Sequence, residues 1–176
     1  LLLTAAALLT SHSVMAADAP RVKFATTAGD FVVEVYPDKA PKTVENFLQY
    51  VKDKHYDGTI FHRVIDNFMV QGGGFDTKFA QKPTRAPVVH EGREALAKGG
   101  PKNTVGTLAM ARTNDPNSAT AQFFINVKDN AFLDPSVGQP GYTVFGKVVG
   151  GMDVITKIKT TPTGAGGPFP TDVPKT

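Results

Sequence analysis

The 176-residue chain contains no cysteine and no tryptophan. Without cysteine it can form no disulfide, thiolate nucleophile or cysteine-ligated zinc site. Its formal net charge is only +3 and its basic residues form no long run, so the charge pattern does not favour nucleic-acid binding. Apolar residues make up 41%, which is ordinary for one globular domain with a sizeable core. Scattered glycines and prolines favour short strands and turns over a helical bundle.

The chain begins with an apolar run of leucine and alanine over residues 1–9, followed by small residues up to Ala16. This order is typical of a signal peptide, and the run is too short to span a bilayer. We expect residues 1–16 to be a signal-peptide remnant and residues 17–176 to form one domain exported to a bacterial periplasm. A buried N-terminal helix and secretion from a Gram-positive cell are the alternatives. No basic segment precedes the run, so we expect the sequence to lack its start.

Short strands dominate the rest of the chain. Residues 22–28 and 30–36 are β-rich around a turn, which predicts a hairpin. Pro41 opens a predicted helix with an apolar stripe. Further strands are predicted over 59–65, 67–71, 105–111, 122–127 and 142–149, a second helix near 152–158, and mostly loop over 77–102 and after 160. Many strands with two helices indicate a closed barrel or a sandwich.

The position of Arg63 in the sequence suggests a role in catalysis. Strand alternation places it on one face with Phe61 and Ile65. A cation between two apolar neighbours is unusual unless that face borders a polar ligand. Amide and large apolar side chains accompany it without a carboxylate pair: Phe68, Met69, Gln71, Gln122, Phe123, Phe124 and Asn126. This inventory suits a reaction that transfers no proton and forms no covalent bond.

Rotation about a peptide bond is such a reaction. Its barrier is roughly 18–20 kcal/mol because resonance gives the C–N bond double-bond character. Twisting localises the lone pair on nitrogen, so an arginine N–H aimed at that nitrogen would bind the twisted form better than the planar one. Proline is the natural substrate because both isomers of an Xaa-Pro bond are populated. A solvated strand position remains the alternative for Arg63, and plain core the alternative for the phenylalanines.

Other chemistries find less support. Ser118 and Ser136 lie in turn-like loops without a nucleophile-elbow motif. His55, His62 and His90 are scattered over different elements, which does not favour a metal site. We interpret His62 as a hydrogen-bonded strand histidine rather than a catalytic one.

Several long motifs, in order, resemble the cyclophilin-type peptidyl-prolyl cis–trans isomerases, in particular their bacterial periplasmic branch. Residues 61–65 (FHRVI) with 67–73 (NFMVQGG) resemble the family signature. Residues 106–111 (GTLAMA) and 121–126 (AQFFIN) resemble the next two motifs. Residues 41–47, 133–134 and 144–148 continue the likeness, which runs from about Val22 to Ile158.

The resemblance implies a closed antiparallel eight-stranded barrel capped by two helices, with its site on the outer surface and no metal or cofactor. It implies that Arg63 is the catalytic arginine and that Gln71 positions it and binds the peptide. The residues implied to line the proline pocket are Phe68, Met69, Phe124 and Leu133. Those implied to border the groove for residues before the proline are Ala111, Arg112, Thr113 and Gln122. Expected partners are proline-containing peptides and unfolded exported proteins, bound by a monomer that needs no membrane.

Three departures from the family pattern carry consequences. Phe132 stands where many eukaryotic members carry Trp, and Tyr142 stands where they carry His at the pocket rim; the resemblance implies that both bind substrate. Phenylalanine cannot donate the indole hydrogen bond, so we expect weak cyclosporin binding with catalysis kept. Residues 174–176 end the chain without the family's closing strand, which predicts truncation and an exposed sheet edge. A module that binds clients without catalysis is the serious alternative, and Arg63→Ala separates the two.

Overall fold

The structure, a computed structural model, describes residues 19–175, so the predicted signal peptide lies outside the described residues. The strands are β1 Arg21–Thr26, β2 Gly29–Val35, β3 Arg63–Ile65, β4 Met69–Gly72, β5 Thr107–Met110, β6 Phe123–Asn126, β7 Val144–Gly150, β8 Thr163–Gly166 and β9 Phe169–Pro174. The helices are α1 Pro41–Lys52, α2 Gly92–Ala97 and α3 Met152–Lys159, with a 3-10 turn over Ala131–Leu133. No helix within this range is long and apolar enough to cross a membrane.

Seven strands form one curled antiparallel sheet in the order β1-β2-β7-β5-β6-β4-β3. The hairpin β8–β9 forms a separate two-stranded sheet whose second strand packs beside β3. Over residues 19–175 the large sheet ends at β1 and at β3, so a closed eight-stranded barrel is not confirmed. The mainly β architecture is confirmed. Three helices are present where two were predicted, because α2 forms inside the segment predicted as loop.

The main core lies between the concave side of the sheet and the helices α1 and α3. Phe31, Val33 and Val35 alternate along β2 and are fully buried. α1 begins at Pro41, whose missing N–H is tolerated in the first turn, and covers the sheet with its apolar stripe. The rings of this core contact one another, and that of Phe47 lies 5.1 Å from that of Phe145, centroid to centroid.

The N-terminus of α1 is held from outside the helix by Glu91. Its carboxylate accepts hydrogen bonds from the Thr43 N–H at 2.6 Å and the Thr43 hydroxyl at 2.7 Å, and from the Lys42 N–H at 3.3 Å. Ala40, the residue before the helix, makes no side-chain cap. The carboxylate therefore satisfies N–H groups that the first turn leaves free and complements the helix dipole. This bond fixes the segment before α2, although that segment shows little periodicity.

The β8–β9 hairpin was not predicted, since its residues alternate poorly between apolar and polar. It is ordered by packing against aromatic side chains rather than by its own pattern. A Cβ on Gly167 would overlap the Phe79 ring, so this glycine lets the turn pass close to Phe79. Phe169 places its ring 5.2 Å from the His62 ring and 5.2 Å from the Phe75 ring. The hairpin is thereby fixed against the residue that precedes Arg63.

Candidate active site

Arg63, Gln71, Phe124 and Ala109 form one row across four neighbouring strands. Arg63 on β3 lies opposite Gln71 on β4, Gln71 lies opposite Phe124 on β6, and Phe124 lies opposite Ala109 on β5. Opposed residues of an antiparallel pair carry their side chains on the same face. Arg63 is exposed, and none of the ion pairs between residues 19–175 includes it. The row thus places the exposed Arg63 guanidinium on the same face of the sheet as the Phe124 ring.

The strand that carries Arg63 is shorter than predicted. It begins at Arg63 instead of at residue 59, so the expected alternation does not extend back to Phe61. Phe61 packs with the main core, whereas Ile65 packs with a different cluster on the opposite side. The expectation of one shared face is therefore correct for Arg63 and Ile65 and wrong for Phe61.

A small apolar cluster, separate from the main core, lies beside Arg63. Its buried members are Met69, Ala109, Phe124, Leu133 and Val144, and its half-buried members are Ile65, Phe68, Ala111 and Tyr142. We call it the outer cluster. All four residues predicted to line a proline pocket belong to it. β6 separates the two clusters, because Phe123 and Ile125 point into the main core and Phe124 points out.

Two aromatic side chains form the rim of the outer cluster. The Phe132 ring lies 5.7 Å from the Phe68 ring and is 68% exposed. The Tyr142 ring meets the Phe124 ring edge to face at 5.5 Å. The outer cluster therefore presents apolar side chains at a partly exposed rim, where an apolar ligand could pack.

The amides of Gln71 and Gln122 bind each other. Nε2 of Gln71 donates to Oε1 of Gln122 at 3.0 Å. The sequence predicted that Gln71 positions Arg63. The two residues lie directly opposite each other on β3 and β4, while the hydrogen bond of the Gln71 side-chain amide is made to Gln122. The bond to Gln122 orients the Gln71 amide, whose Oε1 remains an acceptor.

Arg112 and Thr113 belong to the rim and are held by local bonds. The Arg112 guanidinium donates to the Gly141 carbonyl at 2.6 and 3.2 Å and to the Thr113 carbonyl at 2.9 Å. It also lies 4.5 Å from the centre of the Tyr142 ring. The Thr113 hydroxyl donates to that of Ser118 at 2.8 Å. Ala111 alone of the three packs on the outer cluster.

His90 also supports the rim, through the same carbonyl. Its Nδ1 accepts from the Gly92 N–H at 3.2 Å, so Nε2 carries the hydrogen and donates to the Gly141 carbonyl at 2.9 Å. Burial, with the nearby Arg112 charge, lowers the pKa of His90 although the bond to Gly141 opposes that shift. Neutral His90 therefore holds the rim at neutral pH.

A buried asparagine network, which the sequence did not predict as a unit, holds the outer cluster from below. Asn130 Nδ2 donates to the Phe68 carbonyl at 2.9 Å and to Asn126 Oδ1 at 2.8 Å. Asn126 Nδ2 donates to Asn103 Oδ1 at 3.1 Å, and Asn103 Nδ2 donates to the Leu133 carbonyl at 3.2 Å. Two pocket residues are thus fixed through their backbones. Asn126 lies in a family-like motif, but nothing in the sequence pairs it with the other two.

His62 lies behind Arg63 and is buried between two phenylalanine rings. It is 4% exposed, its ring centre is 4.7 Å from that of Phe75, and its Nδ1 has no hydrogen-bond partner. The expectation of a hydrogen-bonded histidine is therefore wrong for this atom. Burial, and secondly the Arg63 charge, lower the pKa of His62 to about 4, so the ring is neutral at neutral pH. Residues 19–175 contain no group of three or more His, Asp or Glu side chains arranged to hold a metal ion.

Residues 21–175 match the sequence family described as cyclophilin type peptidyl-prolyl cis-trans isomerase/CLD. The chain belongs to this family. This cyclophilin is 54% identical over 157 residues to peptidyl-prolyl cis-trans isomerase B of Escherichia coli, covering 88% of this chain and 92% of that protein. It is 54% identical over 146 residues to a peptidyl-prolyl cis-trans isomerase of Acinetobacter baylyi, covering 83% and 75%.

Solved cyclophilin structures share its fold. One is a cyclophilin of Cryptosporidium parvum crystallised in the presence of the dipeptide Ala-Pro, with a TM-score of 0.68 and 25% identity over 89% of this chain and 92% of that one. Another is a cyclophilin of Hirschia baltica, with a TM-score of 0.67 and 27% identity over 86% and 70%. The family resemblance inferred from the motifs is confirmed, and this cyclophilin is a peptidyl-prolyl cis–trans isomerase.

Proposed function

We propose that this isomerase lowers the barrier to Xaa-Pro rotation through Arg63, without a covalent intermediate, and that it assists the folding of exported proteins. One observation carries the mechanism. The exposed Arg63 guanidinium stands in one row with Gln71 and Phe124, beside the outer cluster. A cation, an amide acceptor and an apolar surface would then face the same stretch of peptide.

The outer cluster would hold the pyrrolidine ring of the substrate. Phe68, Met69, Phe124 and Leu133 lie together in one apolar cluster, and packing a proline ring against it displaces water from both surfaces. The ring stays fixed while the peptide on one side of the imide bond rotates. Because one half of the substrate is held in place, rotation about the imide bond moves only the other half, and the reacting nitrogen keeps its position beside Arg63.

Arg63 would act on the twisted imide. As the bond leaves planarity, resonance is lost and the lone pair localises on the proline nitrogen. An Arg63 N–H then binds the nitrogen better than it does in either planar isomer, so the transition state gains more than the ground states. No proton is transferred and no bond is made. The Oε1 of Gln71, at the strand position opposite Arg63, would accept an N–H of the flanking peptide.

The cellular setting is a proposal of its own. The apolar run over residues 1–9, followed by small residues up to Ala16, has the form of a cleaved export signal, so we propose a periplasmic enzyme whose clients are unfolded exported proteins. The protein would act as a monomer and bind proline-containing segments. Fractionation of cells that express the complete protein tests this: we expect it in the periplasmic fraction with Ala17 at its N-terminus, and recovery in the cytoplasm would refute it.

The catalytic proposal is tested by cis–trans exchange of an Ala-Pro peptide, measured by NMR. We expect Arg63→Ala to slow catalysed exchange at least about tenfold. Arg21→Ala, which removes an arginine of β1 outside the site, is the matched control and should exchange at the parental rate. Circular dichroism checks that each variant is folded. Parental exchange by folded Arg63→Ala would refute the role of Arg63.

The same variant distinguishes catalysis from simple client binding. If the protein assists folding by isomerisation, Arg63→Ala loses its effect on the refolding rate of a client limited by a proline isomer. If it acts only by holding clients, refolding yield and suppression of aggregation survive in Arg63→Ala, and that result would overturn the proposed cellular role.

A further inference from the structure

A hollow opens beside Arg63, and its lining residues are separate from the outer cluster. Its volume is about 400 Å³. One wall is formed by Arg63 with the amides of Gln71 and Gln122, and the opposite wall by residues 169–172 at the start of β9. We call this hollow the hairpin pocket. It is large enough for one long side chain, and it shares Arg63 and Gln71 with the row of residues across β3, β4, β6 and β5.

The hairpin wall is rigidly supported. The ring of Phe169 packs against the rings of His62 and Phe75, each 5.2 Å away, and Val173 is 5% exposed. The Lys175 N–H donates to the Pro162 carbonyl at 2.9 Å and closes the base of the hairpin. A wall that is already in place costs little ordering entropy when a ligand binds.

Asp172 brings a negative charge to this wall. It is half-buried, its Oδ2 accepts the Thr171 hydroxyl at 3.0 Å, and it appears in none of the ion pairs between residues 19–175. Its φ of 65° lies in the left-handed region, which aspartate and asparagine tolerate better than most residues. The pocket therefore combines two phenylalanine rings with a carboxylate that forms no ion pair with another residue of the hairpin wall.

A bound peptide can leave the proline site in two directions. One runs along Ala111 and Arg112, where the family resemblance places residues that precede the proline. The other runs over Gln71 and Arg63 to the hairpin pocket. Gln122 lines the hairpin pocket and is also one of the residues that the resemblance places beside the segment before the proline, so it lies where the two directions meet. Residues before the proline take the first direction, along Ala111 and Arg112, and those that follow the proline would take the second.

We propose that the β8–β9 hairpin forms a specificity subsite for client residues just after the proline, and that it favours lysine or arginine there. The inference rests on the proposed roles of Arg63 and the outer cluster. The aliphatic part of such a side chain lies along Phe169 and Phe75, and its cationic end reaches Asp172. In the proposed complex Arg63 is engaged with the imide nitrogen. The charged group that the lysine or arginine side chain of the client meets is therefore Asp172. An acidic side chain would instead compete with the imide for Arg63.

The test uses hexapeptides Ala-Ala-Pro-Xaa-Xaa-Ala in which both Xaa residues are Lys, Ala or Glu. Catalysed exchange is measured by NMR as kcat/KM at low salt, where ion pairs near the surface are least screened. We expect the parent to prefer the Lys peptide over the Glu peptide about three- to tenfold, as for one partly exposed ion pair. Equal rates for the three peptides would overturn the proposal.

Asp172→Asn shows whether the preference comes from the hairpin. Asparagine keeps the shape and tolerates the left-handed backbone, so the charge is the main change. We expect the Lys-to-Glu ratio to fall to less than half its parental value; an unchanged ratio would overturn the proposal. Both kcat/KM values of the Lys-to-Glu ratio are measured on the same variant, so a change in activity that affects both peptides equally does not alter the ratio. Asp38→Asn, at an exposed site in the turn before α1, is the matched control and should keep the parental ratio.

Failure of this inference can be distinguished from failure of the catalytic proposal. The all-Ala hexapeptide carries no side-chain charge, and its exchange by Arg63→Ala tests catalysis alone. In a mirrored series with Lys or Glu before the proline, we expect Asp172→Asn to leave the Lys-to-Glu ratio unchanged. A loss of preference in that series instead would refute the assignment of the pocket to residues after the proline.

Discussion

The Gln122 side chain lies directly against Gly74 while it accepts the hydrogen bond of Gln71. A Cβ on Gly74 would stand 2.5 Å from Nε2 and 2.6 Å from Cγ of Gln122, closer than any side chain can approach without displacement. Gly74 itself has no left-handed backbone, so the glycine is needed for space and not for conformation. The 3.0 Å hydrogen bond from Gln71 to Gln122 thus depends on the absence of a side chain at Gly74, just after β4, the strand next to that of Arg63.

Replacing this glycine should impair catalysis without removing any polar group. We expect Gly74→Ala to lower kcat/KM for an Ala-Pro peptide by about three- to tenfold, since Gln122 must move and Gln71 loses its partner. Gly150→Ala is the control: its Cβ would meet Val32 at an ordinary 3.7 Å, and its rate should match the parent.

A double variant checks the cause of this loss. If Gly74→Ala acts only through Gln122, adding it to Gln122→Ala should cost nothing further, because interacting positions are not additive. Full additivity of the two losses would contradict this explanation.

The asparagine network should couple stability to the shape of the proline site. Asn130→Ala removes one of two donors to the Phe68 carbonyl, since the Val127 N–H also donates to it, and leaves Asn126 Oδ1 without its partner. A buried polar group without a partner costs about 1–3 kcal/mol, so we expect the free energy of unfolding in urea to fall by that amount. We also expect KM to rise more than kcat falls, because the ring of Phe68 is less well held. Asn114→Ala, at an exposed position, should change neither quantity.

Much of the fold could be predicted because local patterns match local structure. The hairpin β1–β2 follows from β-rich runs around a turn, and α1 follows from Pro41 with an apolar stripe. Four residues of the outer cluster could be named because they lie within continuous motifs. The structure then brought Phe68, Met69, Phe124 and Leu133 into one cluster.

What could not be predicted depends on contacts distant in sequence. Glu91 binds Thr43 across 48 positions, so no local pattern indicated that it caps α1. Asn103, Asn126 and Asn130 meet only because β5, β6 and the following turn are neighbours. The β8–β9 hairpin is held by Phe79 and by the rings around His62, and its own residues lack the alternation by which strands are recognised.

Phe132 offers a test of cyclosporin recognition. Its ring is 68% exposed at the rim of the outer cluster, and it can donate no hydrogen bond. We expect the parent to bind cyclosporin weakly and Phe132→Trp to bind about tenfold more tightly, since one hydrogen bond contributes about 1 kcal/mol or slightly more. The introduced residue is the only tryptophan of the chain, so its fluorescence reports binding directly. Phe132→Leu should show no gain, and tight binding by the parent in calorimetry would contradict the expectation.

His62 should make stability depend on pH below neutrality. Its pKa is lowered from the ordinary 6.5 to about 4 in the folded protein, firstly by burial and secondly by the Arg63 charge. Between these two values the unfolded chain binds more protons at this position than the folded one, so the free energy of unfolding falls as the pH falls from about 6.5 to about 4. Above 6.5 the ring is neutral in both states and contributes no dependence.

Replacing the imidazole by an apolar ring should reduce this dependence. His62→Phe keeps the contacts with Phe75 and Phe169 and removes the Nδ1 that has no partner, so stability at pH 7 should be kept or raised. The measurement is urea unfolding of both proteins at several pH values between 7 and 4. We expect a shallower fall for the variant but not a flat line, because burial lowers the pKa of His55 and of His90 as well. Parallel curves would show that His62 does not titrate in this range, and the burial argument for its pKa would then be wrong.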